Sequence, residues 1–205
     1  MKIGIIGAGQ LGLMLGEAAK ELNYECIFLD PNKNSPAKKI GKVINQEFSD
    51  IEGIRRLDSL TDVITYEFEN VPVESINTLN PNTVFPSSKA LEIAQDRLKE
   101  KQLFDSLNIP VARYMSVNTK SDLLGAKSSL GFPFILKTRR FGYDGKGQIK
   151  LDSMDTIQDP EALWTTLGAP ERVVIEEWIE HKGCLLYTSD AADEGLGVDL
   201  GGRRI

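Results

Sequence analysis

The sequence predicts an α/β protein in two parts, a Rossmann-like parallel-sheet domain followed by the first part of an α+β domain. Three observations predict it. Short apolar runs alternate with amphipathic stretches over residues 1–95, the order that builds a parallel sheet. The first run, Lys2 to Ile6, leads into Gly7-Ala8-Gly9-Gln10-Leu11-Gly12, a G-x-G-x-x-G turn that opens a helix. A second glycine-rich stretch, Phe141-Gly142-Tyr143-Asp144-Gly145-Lys146-Gly147, instead joins two strand-like runs. That arrangement reads as a flap over a ligand, not as the strand-to-helix turn of a P-loop.

The elements follow in order. After the first turn, a helical pattern places Leu11, Met14, Leu15, Ala18, Ala19 and Leu22 on one face, expected to be the core face. Cys26 to Leu29 is a second strand ending at Asp30, about 20 residues past the glycines, where a dinucleotide fold keeps an acid for a ribose hydroxyl. Pro31 to Pro36 is a turn-rich loop. Ile51, Ile54 and Leu57 mark a short helix, Asp62 to Tyr66 a strand, Val73 to Leu79 a short helix and Thr83 to Phe85 a short strand. Ser88 to Leu107 reads as one long helix linking the domains, with the boundary near residues 90 to 112. Val111 to Val117 is a strand. Ser121 to Leu130 is a helix with Ser121 as its N-cap. Phe134 to Thr138 and Gln148 to Leu151 flank the glycine flap, a helix opens at Asp159-Pro160, and Val173 to Trp178 is the last strand.

Composition narrows the function. Hydrophobic content of 41% and charged content of 26% suit a soluble globular protein, and no apolar run is long enough to span a bilayer. The N-terminus lacks a signal-peptide cleavage region, and two cysteines, Cys26 and Cys184, form no disulfide framework, so a cytoplasmic location is expected. A net charge of −6 argues against a general nucleic-acid binder. The single histidine, His181, leaves little room for a histidine triad or a zinc site, and no metal ligand is assigned.

The candidate site residues fall into two groups. Glu67 and Glu69 end the strand Asp62 to Tyr66, where an amine or a ribose can be received. Lys137 interrupts an apolar run, and a lysine there needs an anion such as a phosphate. Arg97, Arg139 and Arg140 are ambiguous between a solvated face and a phosphate site, and Glu176 and Glu177 read as solvent-facing strand-end acids. Trp164 reads as core.

The last stretch departs from this pattern. Cys184 to Glu194 resembles the read-through translation of a transposase adapter used in sequencing libraries, and Gly197 to Ile205 a second adapter element. Residues 184–205 are therefore expected to be a non-native tail, with the native frame cut at about Gly183.

Gly-Ala-Gly-Gln-Leu-Gly, Thr65-Tyr-Glu-Phe-Glu-Asn-Val-Pro72, Asp96-Arg-Leu-Lys-Glu-Lys101, Ile135 to Gln148 and Val174-Ile-Glu-Glu-Trp-Ile179 together resemble the ATP-grasp superfamily. More narrowly they are similar to the 5-(carboxyamino)imidazole ribonucleotide synthases of purine biosynthesis. The resemblance implies a pre-ATP-grasp domain over residues 1–95, a partial ATP-grasp domain over 96–183, and a homodimeric full-length parent. It implies ATP-dependent carboxylation of 5-aminoimidazole ribonucleotide by bicarbonate, with magnesium bridging the phosphates. By the same resemblance Arg97 and Lys137 contact ATP phosphates, and Gly142, Tyr143, Asp144, Gly145, Lys146, Gly147 and Gln148 cover them. Glu176, Glu177, Trp178 and Ile179 border adenine; Gln10, Leu11 and Glu67 hold the ribonucleotide. Cys184 stands where the family pattern expects a glutamate, and the family's magnesium ligands lie beyond this chain, so the chain by itself is expected not to turn over ATP. Three other readings stay open: a nicotinamide- or flavin-dependent oxidoreductase using Gly7 to Gly12, another ATP-grasp ligase of purine metabolism, and a non-catalytic nucleotide-binding module.

Overall fold

A computed structural model of the protein describes residues 1–141, 147–153, 160–168 and 172–180. The N-terminal part is a parallel sheet in the order β3-β2-β1-β4, made of β1 (Lys2–Ile6), β2 (Glu25–Leu29), β3 (Lys42–Ile44) and β4 (Val63–Tyr66). Helices cover both faces, so the apolar strands are buried on both sides. Ile27 and Leu29 pack with Ile54 and Leu57 of α2 (Ile51–Leu60) and with Ile76 of α3 (Val73–Ile76). Cys26 and Phe28, one residue out of step, pack with Leu13 and Ala19 of α1 (Gln10–Glu21). Thr83 to Phe85 contributes only a single bridge, Ile64 to Val84.

Helix α1 turns the other way from its expected orientation. Of the expected core stripe only Ala19 is buried; Leu11, Met14, Leu15 and Leu22 are each at least 45% exposed. Gly12, Leu13, Gly16 and Ala19 face the sheet instead. The reason is distance: a Cβ at Gly16 would lie 2.3 Å from Ile40 Cδ1 and 2.9 Å from Phe28 Cζ. A stripe of small residues lets the helix axis approach the sheet, and periodicity cannot tell that stripe from the bulkier one.

The expected long helix is two. α4 (Ser88–Ala94) and α5 (Arg97–Ser106) are separated by Gln95 and Asp96. Asp96 is extended and its carboxylate accepts the Leu98 N–H at 3.0 Å, so it caps a new helix rather than continuing the old one. A 3-10 turn at Pro36–Lys39 and the edge strand β3 were not expected; β3 is three residues long and starts with a lysine.

The second part is an antiparallel sheet in the order β5-β8-β6-β7, from β5 (Tyr114–Val117), β6 (Phe134–Thr138), β7 (Gln148–Leu151) and β8 (Val173–Glu177). β5 starts three residues later than expected and β8 ends one earlier, at Glu177. One face carries Phe134, Leu136, Leu151, Val173 and Ile175 against α6 (Lys120–Leu130) and α7 (Pro160–Thr166), with Trp164 packed at the edge as expected. The cap of α6 is Thr119 rather than Ser121. Thr119 Oγ1 accepts the Asp122 N–H at 3.3 Å, while Asp122 accepts those of Thr119 and Asn118 at 2.9 Å.

Candidate functional site

The register of the second sheet puts Tyr114, Ile135, Lys137, Lys150 and Glu176 on the face away from its apolar core. Helix α5 meets this face through three side chains spaced one turn apart, Arg97, Lys101 and Asp105. Arg97 Nη1 donates to the Thr138 carbonyl on β6 at 2.8 Å. Lys101 Nζ lies 3.2 Å from Glu176 Oε2 on β8. Asp105 Oδ2 accepts the Tyr114 hydroxyl on β5 at 2.5 Å. The hydrogen bond to Asp105, with burial and the carboxylate charge, pushes the Tyr114 phenol up to about 12. The helix therefore crosses β6, β8 and β5 in their order in the sheet.

Glu176 is the centre of this face. It is 6% exposed, contrary to the solvent-facing expectation, and its Oε2 also accepts from Lys137 Nζ at 3.0 Å. Two ammonium groups thus share one buried carboxylate oxygen, which leaves one surplus positive charge. Lys137 is the outer of the two, with 24% of its side chain exposed against 14% for Lys101. Beside them, Lys150 Nζ sits 4.5 Å from the Trp178 ring centroid, a cation–π contact at the end of β8. Glu177 is tied to Arg113, whose N and Nε donate to it at 2.8 and 2.6 Å; those bonds hold its carboxyl below the usual range. Ile179 is exposed.

The break between α4 and α5 is fixed by the same region. Asp96 receives Arg139 through Nε at 2.8 Å and through Nη2. Burial alone would push the Asp96 carboxyl up, but the Arg139 guanidinium and the Leu98 and Lys99 amides outweigh it and hold it below its ordinary value. Arg140 Nη2 donates to Gln95 Oε1 at 2.9 Å, and Gln95 Nε2 donates to the Glu69 and Val71 carbonyls, both at 2.6 Å. A polar cleft of about 510 Å³ opens here between Asn70, Glu74, Lys99 and Arg140. Glu92 lines it, its carboxyl held down to about 2 by hydrogen bonds from Lys99 and Lys89.

The first glycine turn is closed by the protein's own carboxylates. Asp30 Oδ2 accepts the Ala8 N–H at 2.8 Å and Oδ1 that of Asn32 at 2.7 Å, so Asp30 shapes two loops rather than standing ready for a ribose. Glu67 Oε1 accepts the Gly9 N–H at 3.1 Å. Gly7 has φ +104°, and a Cβ there would lie 2.7 Å from Glu67 Oε1, so only glycine permits this approach. Burial pushes the Glu67 carboxyl above its ordinary value; the Gly9 amide opposes this, the Asp30 charge adds to it, and the Gly12 amide opposes it. β4 ends at Tyr66, so Glu67 and Glu69 do not alternate along a strand: Glu67 folds onto the turn and Glu69 is exposed. Gln10 and Leu11 are exposed at the mouth of the turn.

The structure thus gathers Arg97, Lys137, Glu176 and Trp178 around one sheet face, with Gln148 paired to Lys137 in the register, whereas Glu177 alternates to the other face, opposite Phe134 and bonded to Arg113. It places Gln10, Leu11 and Glu67 at the other glycine turn. Gly147, with φ +70°, accepts the Thr138 N–H through its carbonyl at 2.8 Å. Gly142 to Lys146, His181 and residues 184–205 lie outside the described residues. Sequence reasoning missed Lys101 and the capping role of Asp96. The spacing of Arg97, Lys101 and Asp105 was the available signal.

Residues 1–95 match the family model described as the ribonucleotide synthetase preATP-grasp domain, and residues 102–186 match that of the ATP-grasp domain. The N5-carboxyaminoimidazole ribonucleotide synthase of Brucella melitensis is 42% identical over 180 residues, covering 87% of this chain and 49% of that protein. That of Pseudomonas aeruginosa is 43% identical over 159 residues, 77% of this chain and 44% of that protein. This chain belongs to the N5-carboxyaminoimidazole ribonucleotide synthase family. Solved structures agree with the assignment. A Staphylococcus aureus N5-carboxyaminoimidazole synthetase complexed with ADP superposes with a TM-score of 0.81 at 33% identity, over 88% of this chain and 48% of that one. An Aspergillus clavatus N5-carboxyaminoimidazole synthase in complex with ADP and 5-aminoimidazole ribonucleotide gives 0.76 at 31%, over 88% and 47%. The chain spans about half the length of the curated synthases it matches.

Proposed function

We propose that this chain carries the ribonucleotide side and part of the ATP side of an enzyme that carboxylates 5-aminoimidazole ribonucleotide. In this reaction a bicarbonate oxygen attacks the γ-phosphorus of ATP, giving ADP and carboxyphosphate. The exocyclic amine of the ribonucleotide then attacks the carboxyl carbon; the carbon–oxygen bond to phosphate breaks, phosphate leaves and the amine loses a proton. Catalysis of this kind rests on positioning and charge neutralisation.

The observation that carries the reading is the surplus positive charge at Lys137 and Lys101 around Glu176, on the strand that leads into the second glycine stretch. Lys137 and Arg97 receive the nucleotide phosphates, Gly142 to Gln148 cover them, and Glu176 to Ile179 border the adenine. Gln10, Leu11 and Glu67 hold the ribonucleotide, with Glu67 fixed in place by the Gly9 amide. An oxidoreductase reading is disfavoured by the same geometry, because Asp30 and Glu67 already occupy the Ala8 and Gly9 amides that a pyrophosphate would need. Magnesium would neutralise charge on the phosphates. Among the described residues, however, no cluster of three or more His, Cys, Asp or Glu is placed to hold a metal ion. Among them, too, no helix is long and apolar enough to cross a membrane.

The test is phosphate release from ATP, measured for the 205-residue chain and for its parent of full length. The parent releases phosphate only when both bicarbonate and 5-aminoimidazole ribonucleotide are present, and the short chain does not. Release by the parent that ignores either substrate would overturn the reaction assigned.

A further inference from the structure

Lys101 adds to the positive charge of this face but is given no contact with the nucleotide, yet it is the more buried of the two lysines on Glu176, 14% exposed against 24%. A carboxylate as buried as Glu176 must keep a cationic partner, since an unpaired buried charge is far more costly than a paired one. Lys137 cannot serve both Glu176 and an incoming phosphate equally well, because its ammonium would move toward the more exposed anion. Lys101 reaches the same oxygen from a different element, α5, and α5 is anchored on either side of it by Arg97 on Thr138 and by Asp105 on Tyr114. The Lys101 ammonium also lies 5.8 Å from the Tyr114 ring centroid, which limits where it can go. Its place is therefore independent of whether Lys137 stays.

We infer that Lys101 is a positioning residue of the nucleotide site: it keeps Glu176 paired and in place while Lys137 transfers from Glu176 to a nucleotide phosphate. This rests on the nucleotide reading of the sheet face and adds a residue to it. Without Lys101, each phosphate contact made by Lys137 would leave a buried carboxylate unpaired, so nucleotide affinity falls although Lys101 does not touch the nucleotide. Glu176 thereby acts as the resting partner of Lys137, and the energy of releasing it is kept small by the second lysine.

The test is calorimetric titration of ADP into the 205-residue chain and three variants, each first checked for an unchanged thermal midpoint. Lys101→Met is expected to weaken ADP binding by about tenfold or more, and Lys101→Arg to stay within about threefold of the parent sequence. In Lys101→Met combined with Glu176→Gln the carboxylate charge is gone, so Lys137 is released without penalty and most of the lost affinity returns. A Lys101→Met protein that binds ADP as tightly as the parent sequence would overturn the inference while leaving the nucleotide reading intact. So would a loss that Glu176→Gln fails to restore, since it would trace to displacement of α5. A parent sequence that does not bind ADP at all would overturn the nucleotide reading itself, and the role of Lys101 with it.

Discussion

Glu67 Oε1 lies 3.1 Å from the Gly9 amide nitrogen, inside the turn where a dinucleotide fold would seat a phosphate. A motif that reads as an anion site in sequence is therefore already occupied by an anion of the chain. The two sheets therefore differ: the first glycine turn fixes a carboxylate, and a surplus of positive charge gathers on the second sheet.

Glu67 also makes stability depend on pH in a stated direction. Its carboxyl titrates above its ordinary value in the folded protein, burial being the largest cause. Its contribution is full below the ordinary carboxylate value and is lost as pH rises through the raised folded value. Thermal midpoints of the parent sequence and Glu67→Gln, measured across that range, should diverge. The parent sequence loses stability relative to the variant as pH increases.

Asp96 should behave in the opposite sense. Arg139 and the helix amides hold its carboxyl low, so its contribution is present above the ordinary carboxylate value and fades as pH falls through the depressed one. Asp96→Ala removes the α5 cap and leaves the Arg139 guanidinium unpaired. It is expected to cost about 3 kcal/mol by denaturant unfolding at neutral pH. Asp96→Asn, which keeps a capping oxygen, should cost less.

Two glycines give opposite predictions for the same substitution. Gly16→Ala in α1 would drive a Cβ into Ile40 and Phe28 and should destabilise by about 1–3 kcal/mol. Gly125→Ala in α6 meets nothing within 4 Å and should stabilise by about 0.5–1 kcal/mol through helix propensity. Urea midpoints of the two variants would check both signs.

The core of the second sheet is tested by Phe134. It is fully buried and stacked on Phe132 with ring centroids 4.8 Å apart. Phe134→Ala should cost about 3–5 kcal/mol in denaturant unfolding, whereas Leu15→Ala on the exposed stripe of α1 should cost less than about 0.5 kcal/mol.

The βα order of the first part and the two paired strands that flank the second glycine stretch were legible because apolar runs, glycines and prolines act locally. What escaped depended on distance across the fold. The orientation of α1 was decided by how closely a helix can approach Phe28 and Ile40, which periodicity does not encode. The break at Asp96 was decided by Arg139, 43 residues away, which rewards a capping conformation over a continuous helix. Glu176 read as solvent-facing because nothing local to β8 announces Lys101. β3 is only three residues long, too short a run to be read by itself, and is placed by pairing with β2 and by the burial of Ile44.

The central claim is that the nucleotide site lies on the second sheet and not at the first glycine turn. Backbone amide NMR of the chain, titrated with ADP, tests it most directly. The account predicts the largest shift changes at Lys137, Gln148 and Glu176 to Ile179, with the Gly7 to Gly12 amides unmoved. Changes confined to Gly7 to Gly12 would contradict it.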